Sequence, residues 1–430
     1  MVETKPLIIR DPVNGFIRLN DYDFIKLIVE SEHFQRLRRI SQLGLSMLVY
    51  PSATHNRFSH SIGAMQVFWR IFDNLIPSMT ISKGEIKDLR KLGTAAILLH
   101  DIGHGPFSHA SEKVFNFHHE DMSKEIISRS IIADYLRKDG LTPKEITRVI
   151  SRTAKNENKL ITQLVTSQLD ADRLDYLQRD AYFTGVGFCN IDIDRIVNVL
   201  VVHQKKDNLN GQAVSLYKGY HSLESFIVTR YLMYQGVYLH KTTRCFEILT
   251  RKAIERLVTS SQSETPTELQ CLLEGRSPTL EELLELDDYF LYSQLKKWTK
   301  STDPILSELC SRVINRQSLS SIEISQKPVL ALAIDRKIRR LIEKSKKDPD
   351  YFLFEDDATD TPYKPYKPIS MDDEKSPITN IFALDEEGTP KEISDLSAVV
   401  HSISQKQYSS RYYFPKELKE EVNMILKRGR

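Results

Sequence analysis

The residues best suited to chemistry lie in the stretch LLHDIGHGPFSHA, where an apolar run ends in the pair His100-Asp101. Gly103 and Gly105 then allow the chain to turn directly after this pair. An imidazole and a carboxylate at the end of a buried helix can bind one divalent ion, because mixed nitrogen and oxygen ligands suit Fe, Mn, Zn or Mg. One pair is not a complete site, so further ligands must come from other segments.

Further ligands are available on both sides of the pair. Upstream, HNRFSH contributes His60, and downstream QLDADRLDYLQRD contributes several carboxylates. A lone buried histidine more often has a structural role, because hydrogen bonds usually hold it in place. Three more histidines follow closely, however, at His104, His109 and His119, in a chain that has only 12. This accumulation favours a metal site over chance.

Four blocks carry a resemblance to a known family: H-N-R-F-x-H, H-D-I-G-H-G-P-F-S-H, H-E and D-x-D-R-L-D-Y-x-x-R-D, in this order. The composite resembles the HD-domain deoxynucleoside triphosphate (dNTP) triphosphohydrolases. These include bacterial dGTPase-like enzymes and the mammalian triphosphohydrolase with a sterile-alpha-motif and an HD domain. The likeness covers roughly residues 6–260. It implies metal-dependent hydrolysis of dNTPs to a deoxynucleoside and triphosphate, with regulation by nucleotides at subunit interfaces.

By position, the resemblance implies four metal ligands, namely His60, His100, Asp101 and Asp172. Asp170 is the alternative for the last place, because both aspartates lie in one turn. Helical periodicity favours Asp172, since Asp172, Tyr176 and Asp180 are four residues apart and share one helix face. The identity of the metal is left open among Mg, Mn, Fe and Zn.

The resemblance also implies groups around the metal. The catalytic set comprises Asp101, His104, His109 and His119, and an imidazole is suited to proton transfer because it titrates near neutrality. His118, next to His119, is predicted to face solvent. The substrate-binding set comprises Arg57, Gln42, Leu43, Arg173, Tyr176, Asp180, Arg230 and Tyr238.

Within the substrate-binding set, Arg57 and Arg230 are the predicted phosphate clamps, because a guanidinium binds phosphate oxygens bidentately and stays charged. Gln42 and Leu43 are predicted to meet the base. Each contact has a plain structural alternative, because an isolated arginine is usually solvated and a tyrosine stripe usually packs in a core. Arg36 and Arg38 are candidate anion partners at a regulatory nucleotide site near the N-terminal segment.

The overall charge is nearly balanced, with 60 Lys and Arg against 58 Asp and Glu and a net charge of +2. No global field therefore attracts the chain to nucleic acid or to an acidic membrane. The resemblance implies deoxynucleoside triphosphates and further copies of the chain as partners, with a homotetramer favoured. Nucleic acid is disfavoured.

Four cysteines without a C-x-x-C pair argue against a zinc finger or a disulfide framework. The first residues lack a cationic start followed by an apolar run. No apolar stretch approaches the roughly 20 residues that a bilayer span needs. These features predict a cytoplasmic protein.

The elements that must position these residues are mainly helical. Residues 7–20 predict a β-hairpin around Asn14-Gly15, and residues 195–220 predict two strands around a second Asn-Gly turn. Apolar spacings of three and four predict helices over Phe24–Glu30, Phe34–Leu43, Ser61–Leu75, Lys83–Leu99, Ser123–Leu136, Pro143–Ser151, Leu160–Tyr182 and about Leu223–Val258. ITNIFAL and YSSRYYF predict short C-terminal strands before a final helix, Lys416–Leu426.

The predicted fold class is mainly α: a multi-helix HD-domain phosphohydrolase body with small β-hairpins and a smaller α+β C-terminal part. The predicted divisions are a catalytic domain over 1–260, a helical extension over 261–346 and an α+β region over 347–430. Two other functions remain open. One is hydrolysis of another nucleotide, such as a monophosphate, a cyclic nucleotide or guanosine tetraphosphate. The other is a non-catalytic sensor of nucleotides or single-stranded nucleic acid.

Overall fold

The computed structural model describes residues 7–108, 112, 118–154, 158–203, 212–260, 264–324, 328–360, 364, 380–404 and 407–428. Its helices up to residue 260 are α1 Asp23–Glu30, α2 Glu32–Arg36, α3 Arg57–Leu75, α4 Lys83–Leu99, α5 His119–Arg129, α6 Ile131–Lys138, α7 Pro143–Ile150, α8 Lys159–Val165, α9 Ala171–Thr184, α10 Ile193–Val199, α11 Tyr220–Met233 and α12 Lys241–Ser260. The helices that follow are α13 Gln270–Leu273, α14 Leu280–Glu285, α15 Asp288–Trp298, α16 Pro304–Ile314, α17 Pro328–Lys344, α18 Pro349–Phe352, α19 Ile393–Leu396, α20 Ala398–Ile403 and α21 Lys419–Arg428.

The strands form three small sheets. They are β1 Ile8–Asp11, β2 Gly15–Arg18, β3 Leu200–His203, β4 Gln212–Ser215, β5 Ser320–Glu323, β6 Phe354–Asp360, β7 Phe382–Leu384, β8 Pro390–Glu392 and β9 Gln407–Phe414. β1 pairs with β2, a second sheet has the order β3-β4-β7-β8, and a third has the order β5-β9-β6. The predicted mainly α fold class is therefore confirmed.

The predicted N-terminal hairpin is present. β1 and β2 pair antiparallel with Asp11 opposite Gly15, whose φ of +74° is the left-handed conformation that glycine tolerates. The Asp11 carboxylate accepts hydrogen bonds from the backbone N–H groups of Val13 and Asn14, at 3.1 and 2.7 Å. This short-range bonding fixes the turn and keeps Asp11 buried.

Three long predicted helices are interrupted. Ser130 separates α5 from α6, adopts an extended conformation and accepts from Ile132 N. The segment predicted as Leu160–Tyr182 divides into α8 and α9, because the Asp170 side chain caps the start of α9. The segment predicted as Leu223–Val258 divides into α11, a π-helical turn at Tyr234–Tyr238 and α12. Apolar periodicity continues across such breaks, so it does not reveal them.

The other helix bounds follow local capping. Lys83–Leu99 was predicted with its observed ends, and a capping box between Ser82 and Glu85 explains its start. The predicted helix Phe34–Leu43 is shorter, since α2 passes into a 3₁₀ turn at Leu37–Arg39. Strands β3 and β4 pair antiparallel as predicted, and the turn between them lies outside the described residues.

The core that matters for the site is built on α3. This helix packs against both α4 and α9, and most apolar residues of all three are buried. None of the helices in the described ranges is long and apolar enough to cross a membrane. The division into three domains stays a prediction.

Candidate metal centre and adjoining cavity

The four predicted metal ligands come from three segments whose ends meet. Asn56 caps α3 by accepting from Ser59 N, so α3 begins four residues before its predicted start and carries His60 in its first turns. His100 is the C-cap of α4, and Asp101 lies in the turn that follows. Asp172 lies in the first turn of α9. Packing of α3 against α4 and α9 therefore brings these helix ends together.

Their polar atoms form a closed ring in which imidazoles and carboxylates alternate. His60 Nε2 lies 3.1 Å from the Asp172 carboxylate and 3.7 Å from the Asp101 carboxylate. His100 Nε2 lies 3.4 Å from each of the same two carboxylates. His60, His100 and Asp172 therefore lie close enough to hold one divalent ion, while Asp101 adjoins them and belongs to a second group.

The remaining nitrogen of each imidazole is already occupied. His60 Nδ1 lies 2.9 Å from the Asp175 carboxylate, and His100 Nδ1 lies 2.7 Å from the backbone carbonyl of Ile97. Nε2 of both rings is buried and has no hydrogen-bond partner among the described residues. A ring that donates from one nitrogen and turns the other inward is the usual arrangement of a metal-ligating histidine. The residues present therefore fit a divalent ion.

Asp170 has a different environment from Asp172. Its carboxylate accepts from the backbone N–H groups of Arg173 and Ser167, both at 2.7 Å, and it also pairs with the Arg173 guanidinium. Burial is the main cause that raises the pKa of Asp170 to about 6. Asp170 therefore caps the N-terminus of α9, whereas Asp172 faces the two imidazoles.

Behind His60 lies a buried chain of charges that reaches the N-terminal hairpin. Arg179 donates to Asp175 through Nε at 2.8 Å and through Nη2 at 2.9 Å. The same guanidinium donates to Asp11 at 2.7 and 3.1 Å, and Asn14 Nδ2 donates to Asp175 at 2.7 Å. Two carboxylates and one guanidinium thus hold each other in place and orient the ring of His60.

Gly63 makes room for this chain. A β-carbon at position 63 would lie 2.1 Å from Arg179 Nη2 and 2.3 Å from the Asp175 carboxylate. A side chain there would displace the groups that hold His60.

The carboxylates also set the protonation of the centre. Burial lowers the pKa of His60, but the adjacent carboxylates of Asp172 and Asp175 outweigh it and raise this pKa to about 10. Burial likewise raises the pKa of Asp172, but His100 and His60 hold it well below its ordinary value. A proton on His60 therefore competes with a cation for the same carboxylate-rich space.

This competition predicts a pH dependence of metal binding. Because the His60 pKa lies above neutrality, the proton must leave before Nε2 can bind a metal, so affinity is expected to rise with pH. The expected slope is about tenfold per pH unit for each proton displaced. Chelator competition and calorimetric proton release between pH 6 and 9 measure it. A pH-independent metal affinity without proton release would contradict the competition.

A second cluster adjoins the first. The rings of His104 and His119 stack with centroids 3.9 Å apart, and His104 Nε2 lies 3.3 Å from the Asp101 carboxylate. His119 Nδ1 lies 2.7 Å from the Glu112 carboxylate. The turn after Asp101 packs closely against α5 at Gly103. A β-carbon at position 103 would lie 2.3 Å from the backbone nitrogen of Ser123 in α5. Asp101, His104 and His119 form a second group that could hold a metal ion.

The surroundings of His104 lower its pKa, whereas His118 is on the surface. Burial, with the positive charges of Arg57 and His119, lowers the pKa of His104 well below its ordinary value. His118 is exposed, as predicted. His109 lies outside the described residues.

Arg57, the predicted phosphate clamp, is buried beside the metal centre. Its guanidinium donates to the Asp101 carboxylate and, at 3.0 Å, to Ser108 Oγ. Burial opposes ionisation of Asp101, but His100 and Arg57 hold its pKa well below its ordinary value. Phe107 and Ser108 both have φ of +54°, so the turn after the His-Asp pair is strained to place these groups.

A cavity of ≈ 350 Å³ opens from the two clusters. The predicted residues that line it are Gln42, Leu43, Arg57, Asp101, His104, His119, Asp172, Tyr176, Asp180 and Tyr238. Arg173 and Arg230 are not among its lining residues. Arg173 pairs with Asp170, and the Arg230 guanidinium lies 5.5 Å from the centre of the Tyr234 ring.

Asp180 is fixed from two sides in this cavity. Tyr238 Oη donates to one carboxylate oxygen at 2.8 Å, and His55 Nε2 lies 2.7 Å from the other. His55 is buried and stacks on Phe183 with ring centroids 4.6 Å apart. Burial, with the charge of Asp180, raises the pKa of Tyr238 well above its ordinary value, so its hydroxyl remains a donor.

The two predicted regulatory arginines have different positions. Arg36 is buried, and its guanidinium donates to the backbone carbonyls of His104 at 2.6 Å and Leu286 at 3.0 Å. An anion-binding role for Arg36 does not fit this burial, because the side chain already holds the turn that carries His104. Arg38 is exposed and stacks on the Phe58 ring, 3.6 Å from its centre.

Several site residues were not assigned from the sequence. They are Asp11, Asn14, His55, Glu112, Asp175, Arg179, Tyr234, Arg244 and Glu247. Asp175 and Arg179 had a usable signal, since an Asp-Arg pair four residues apart shares a helix face with its neighbours. The others depend on contacts between distant segments and gave no local signal.

Comparisons with known proteins agree with this geometry. The HD domain family matches residues 57–180, and a family described as an HD associated region matches residues 191–345. The uncharacterized protein YwfO of Bacillus subtilis is 37% identical over 421 residues, which cover 96% of this chain and 92% of that protein.

Two other relatives have informative names. A Dictyostelium discoideum protein named as a homologue of the deoxynucleoside triphosphate triphosphohydrolase SAMHD1 is 32% identical over 280 residues, or 61% of this chain and 52% of that protein. The crystal structure of a phosphohydrolase from Bacteroides thetaiotaomicron superposes with a TM-score of 0.80 at 29% identity. The match covers 96% of this chain and 100% of that structure.

Proposed function

The chain belongs to the HD-domain phosphohydrolases, and we propose that it hydrolyses deoxynucleoside triphosphates to a deoxynucleoside and inorganic triphosphate. The observation that carries this proposal is the closed ring of two imidazoles and two carboxylates at a cavity that Arg57 also lines. The SAMHD1-type names of several relatives support the substrate class.

His60, His100, Asp101 and Asp172 are the residues that would hold the metal. A divalent ion bound there supplies Lewis acidity for the charge on the phosphate oxygens. Arg57 adds a fixed positive charge in the cavity wall, where it can contact a phosphate oxygen without reorganising. The metal's identity stays open, because this ligand set suits several ions.

The chemistry proposed is attack of water on the α-phosphorus. The new P–O bond forms as the bond from phosphorus to the 5′ oxygen breaks, and the leaving oxygen takes a proton. His119 is the proposed proton donor, since Glu112 holds its Nδ1 and the ring lines the cavity. The neighbouring His104 is buried and stacks on it.

The sugar would lie against Tyr176, Tyr238 and Asp180. The two tyrosine rings meet edge to face with centroids 6.1 Å apart, which gives a rigid wall. A rigid ring near C2′ would disfavour a ribose hydroxyl, and the fixed Asp180 carboxylate offers an acceptor for the 3′ hydroxyl.

Product analysis tests the bond that is cleaved. We expect each hydrolysed dNTP to yield triphosphate and deoxynucleoside in equal amounts, because water attacks the α-phosphorus. Ion chromatography separates triphosphate, pyrophosphate and orthophosphate. Orthophosphate as the first product, or turnover of monophosphates, cyclic nucleotides or guanosine tetraphosphate alone, would contradict the proposal. Nucleotide binding without any hydrolysis would instead favour the sensor function.

Assembly and regulation stay predictions. The relatives' family suggests a symmetric homo-oligomer, with a homotetramer expected, and activation by nucleotides at subunit interfaces. Cytoplasmic localisation is likewise a prediction. Assays with each dNTP alone and in pairs, alongside the mass in solution, address assembly and activation together.

A further inference from the structure

Two charged side chains in the cavity wall have no part in the metal centre. Arg244 and Glu247 lie one turn apart on α12, and Arg244 Nη1 donates to the Glu247 carboxylate at 2.8 Å. Both line the cavity that Asp101 and Asp172 also line. A charged pair in a cavity wall is costly unless it has partners, so its other contacts are informative.

The C-terminal region supplies the main partner of Arg244. Asp356 on β6 is buried and accepts from Arg244 Nε at 3.1 Å and from Nη2 at 2.6 Å. A guanidinium has five N–H donors, of which these contacts and the one to Glu247 use three. Among the described residues one N–H on each terminal nitrogen has no acceptor, and a guanidinium can direct two such groups at one ligand.

The same sheet also holds the backbone beside Arg244. Tyr413 Oη donates to the carbonyl of Lys241 at 2.9 Å, and the Arg411 guanidinium donates to the carbonyl of Leu239 at 3.0 Å. Both residues lie on β9, which pairs with β6. The side chain of Arg244 is therefore fixed in advance, and binding a ligand costs little further ordering.

The position of α12 indicates which part of a nucleotide Arg244 would meet. This helix packs against the 3₁₀ turn Gly44–Leu48, and Gly44 and Ser46 of that turn line the cavity. The turn directly follows Gln42 and Leu43, the predicted base contacts. The metal centre and Arg57 would bind the phosphates. The base would then lie against Arg244 and Glu247, the cavity-lining residues of α12.

We propose that Arg244 reads the nucleobase, that Asp356 and Glu247 are its positioning residues, and that guanine is the base it favours. This inference rests on the proposed function. The two free N–H groups of a fixed guanidinium match two adjacent acceptors, and guanine presents O6 and N7 in this arrangement. Adenine presents a donor beside N7, and thymine has no two adjacent acceptors. Cytosine has N3 and O2 side by side, so dCTP is the competing ligand and the comparison of dGTP with dTTP reports the contact.

The test measures kcat/KM for the four dNTPs with wild type, Arg244→Ala, Arg244→Lys and Asp356→Asn. We expect wild type to prefer dGTP over dTTP by about 5- to 150-fold in kcat/KM, the discrimination of one bidentate base contact. In Arg244→Ala the ratio of kcat/KM for dGTP to kcat/KM for dTTP should fall toward one. Arg244→Lys keeps the charge but lacks the fork, so it should not restore the ratio.

Arg276→Ala is the matched control. Arg276 is also held bidentately by a carboxylate, that of Glu282 at 2.6 Å through both terminal nitrogens, but it does not line the cavity. The base ratio should not change in this variant. Asp356→Asn should lower the ratio while metal content stays at the wild-type level, a combination that general destabilisation would not produce.

Equilibrium binding separates this inference from the proposed function. Binding of dGTP and dTTP to Asp172→Asn protein, with and without Arg244→Ala, reports base preference where turnover is lost. No dGTP preference in wild type, or an unchanged ratio in Arg244→Ala, overturns the role of Arg244. Absence of triphosphate release from every dNTP would overturn the proposed function. The ratio of dGTP affinity to dTTP affinity would then test the base contact by itself.

Discussion

Asp172→Asn is expected to remove the bound metal and to lower dNTP hydrolysis by roughly a thousandfold or more. Asparagine keeps the shape of the side chain but loses the charge that faces His60 Nε2 at 3.1 Å and His100 Nε2 at 3.4 Å. Metal per protomer after gel filtration and single-turnover rates measure the effect. His100→Ala and Asp101→Ala should have the same consequence.

Asp170→Asn is the matched control. Asparagine caps a helix about as well as aspartate, so α9 should still begin at Ala171. We expect this variant to keep its metal and its turnover when both proteins are assayed at a temperature at which they remain folded. Metal loss in Asp170→Asn with retention in Asp172→Asn would reverse the assignment.

The second large effect is expected from Asp175→Ala. Arg179 and Asp175 are both fully buried, and loss of Asp175 leaves Arg179 with the Asp11 carboxylate as its one ion-pair partner among the described residues. Breaking such a pair typically costs about 3–5 kcal/mol of unfolding free energy. Because Asp175 also holds His60 Nδ1, metal affinity should fall by about 10- to 100-fold. Urea unfolding and metal competition measure the two effects separately.

Asp134→Ala is the control for this prediction. Asp134 and Arg137 form an exposed pair one helical turn apart, and such pairs contribute about 0–1 kcal/mol. Loss of stability in Asp175→Ala with an unchanged metal affinity would show that Asp175 supports the fold without orienting His60. Unchanged stability would show that Asp11 alone compensates Arg179.

The charge chain gives the N-terminal hairpin a role in the site. Asp11 in β1 and Asn14 in the adjoining turn contact Arg179 and Asp175, the groups behind His60. The N-terminal hairpin therefore contributes side chains that hold Asp175 and Arg179 behind His60. Buried polar contacts thus connect the hairpin to His60 through Asp175 and Arg179.

The sequence by itself indicated a metal-binding set of residues and predicted most of the local structure. The types and spacing of His60, His100 and Asp101 indicated a metal ligand set, because these side chains are the ones that bind divalent ions. The hairpin at Asn14-Gly15 and the helix Lys83–Leu99 were predicted because turn residues and apolar periodicity depend on residues close together in the sequence.

Only the tertiary structure decided which partner each buried polar group takes. Asp170 serves as a cap while Asp172 faces the imidazoles, although both lie in one turn. Arg36 holds the carbonyl of His104, and Arg244 meets Asp356, which is 112 residues away. Periodicity specifies the face of a helix but not what packs on it. The polar groups of this site were therefore assigned to one another only when α3, α4, α9, α12 and the β6–β9 pair came together.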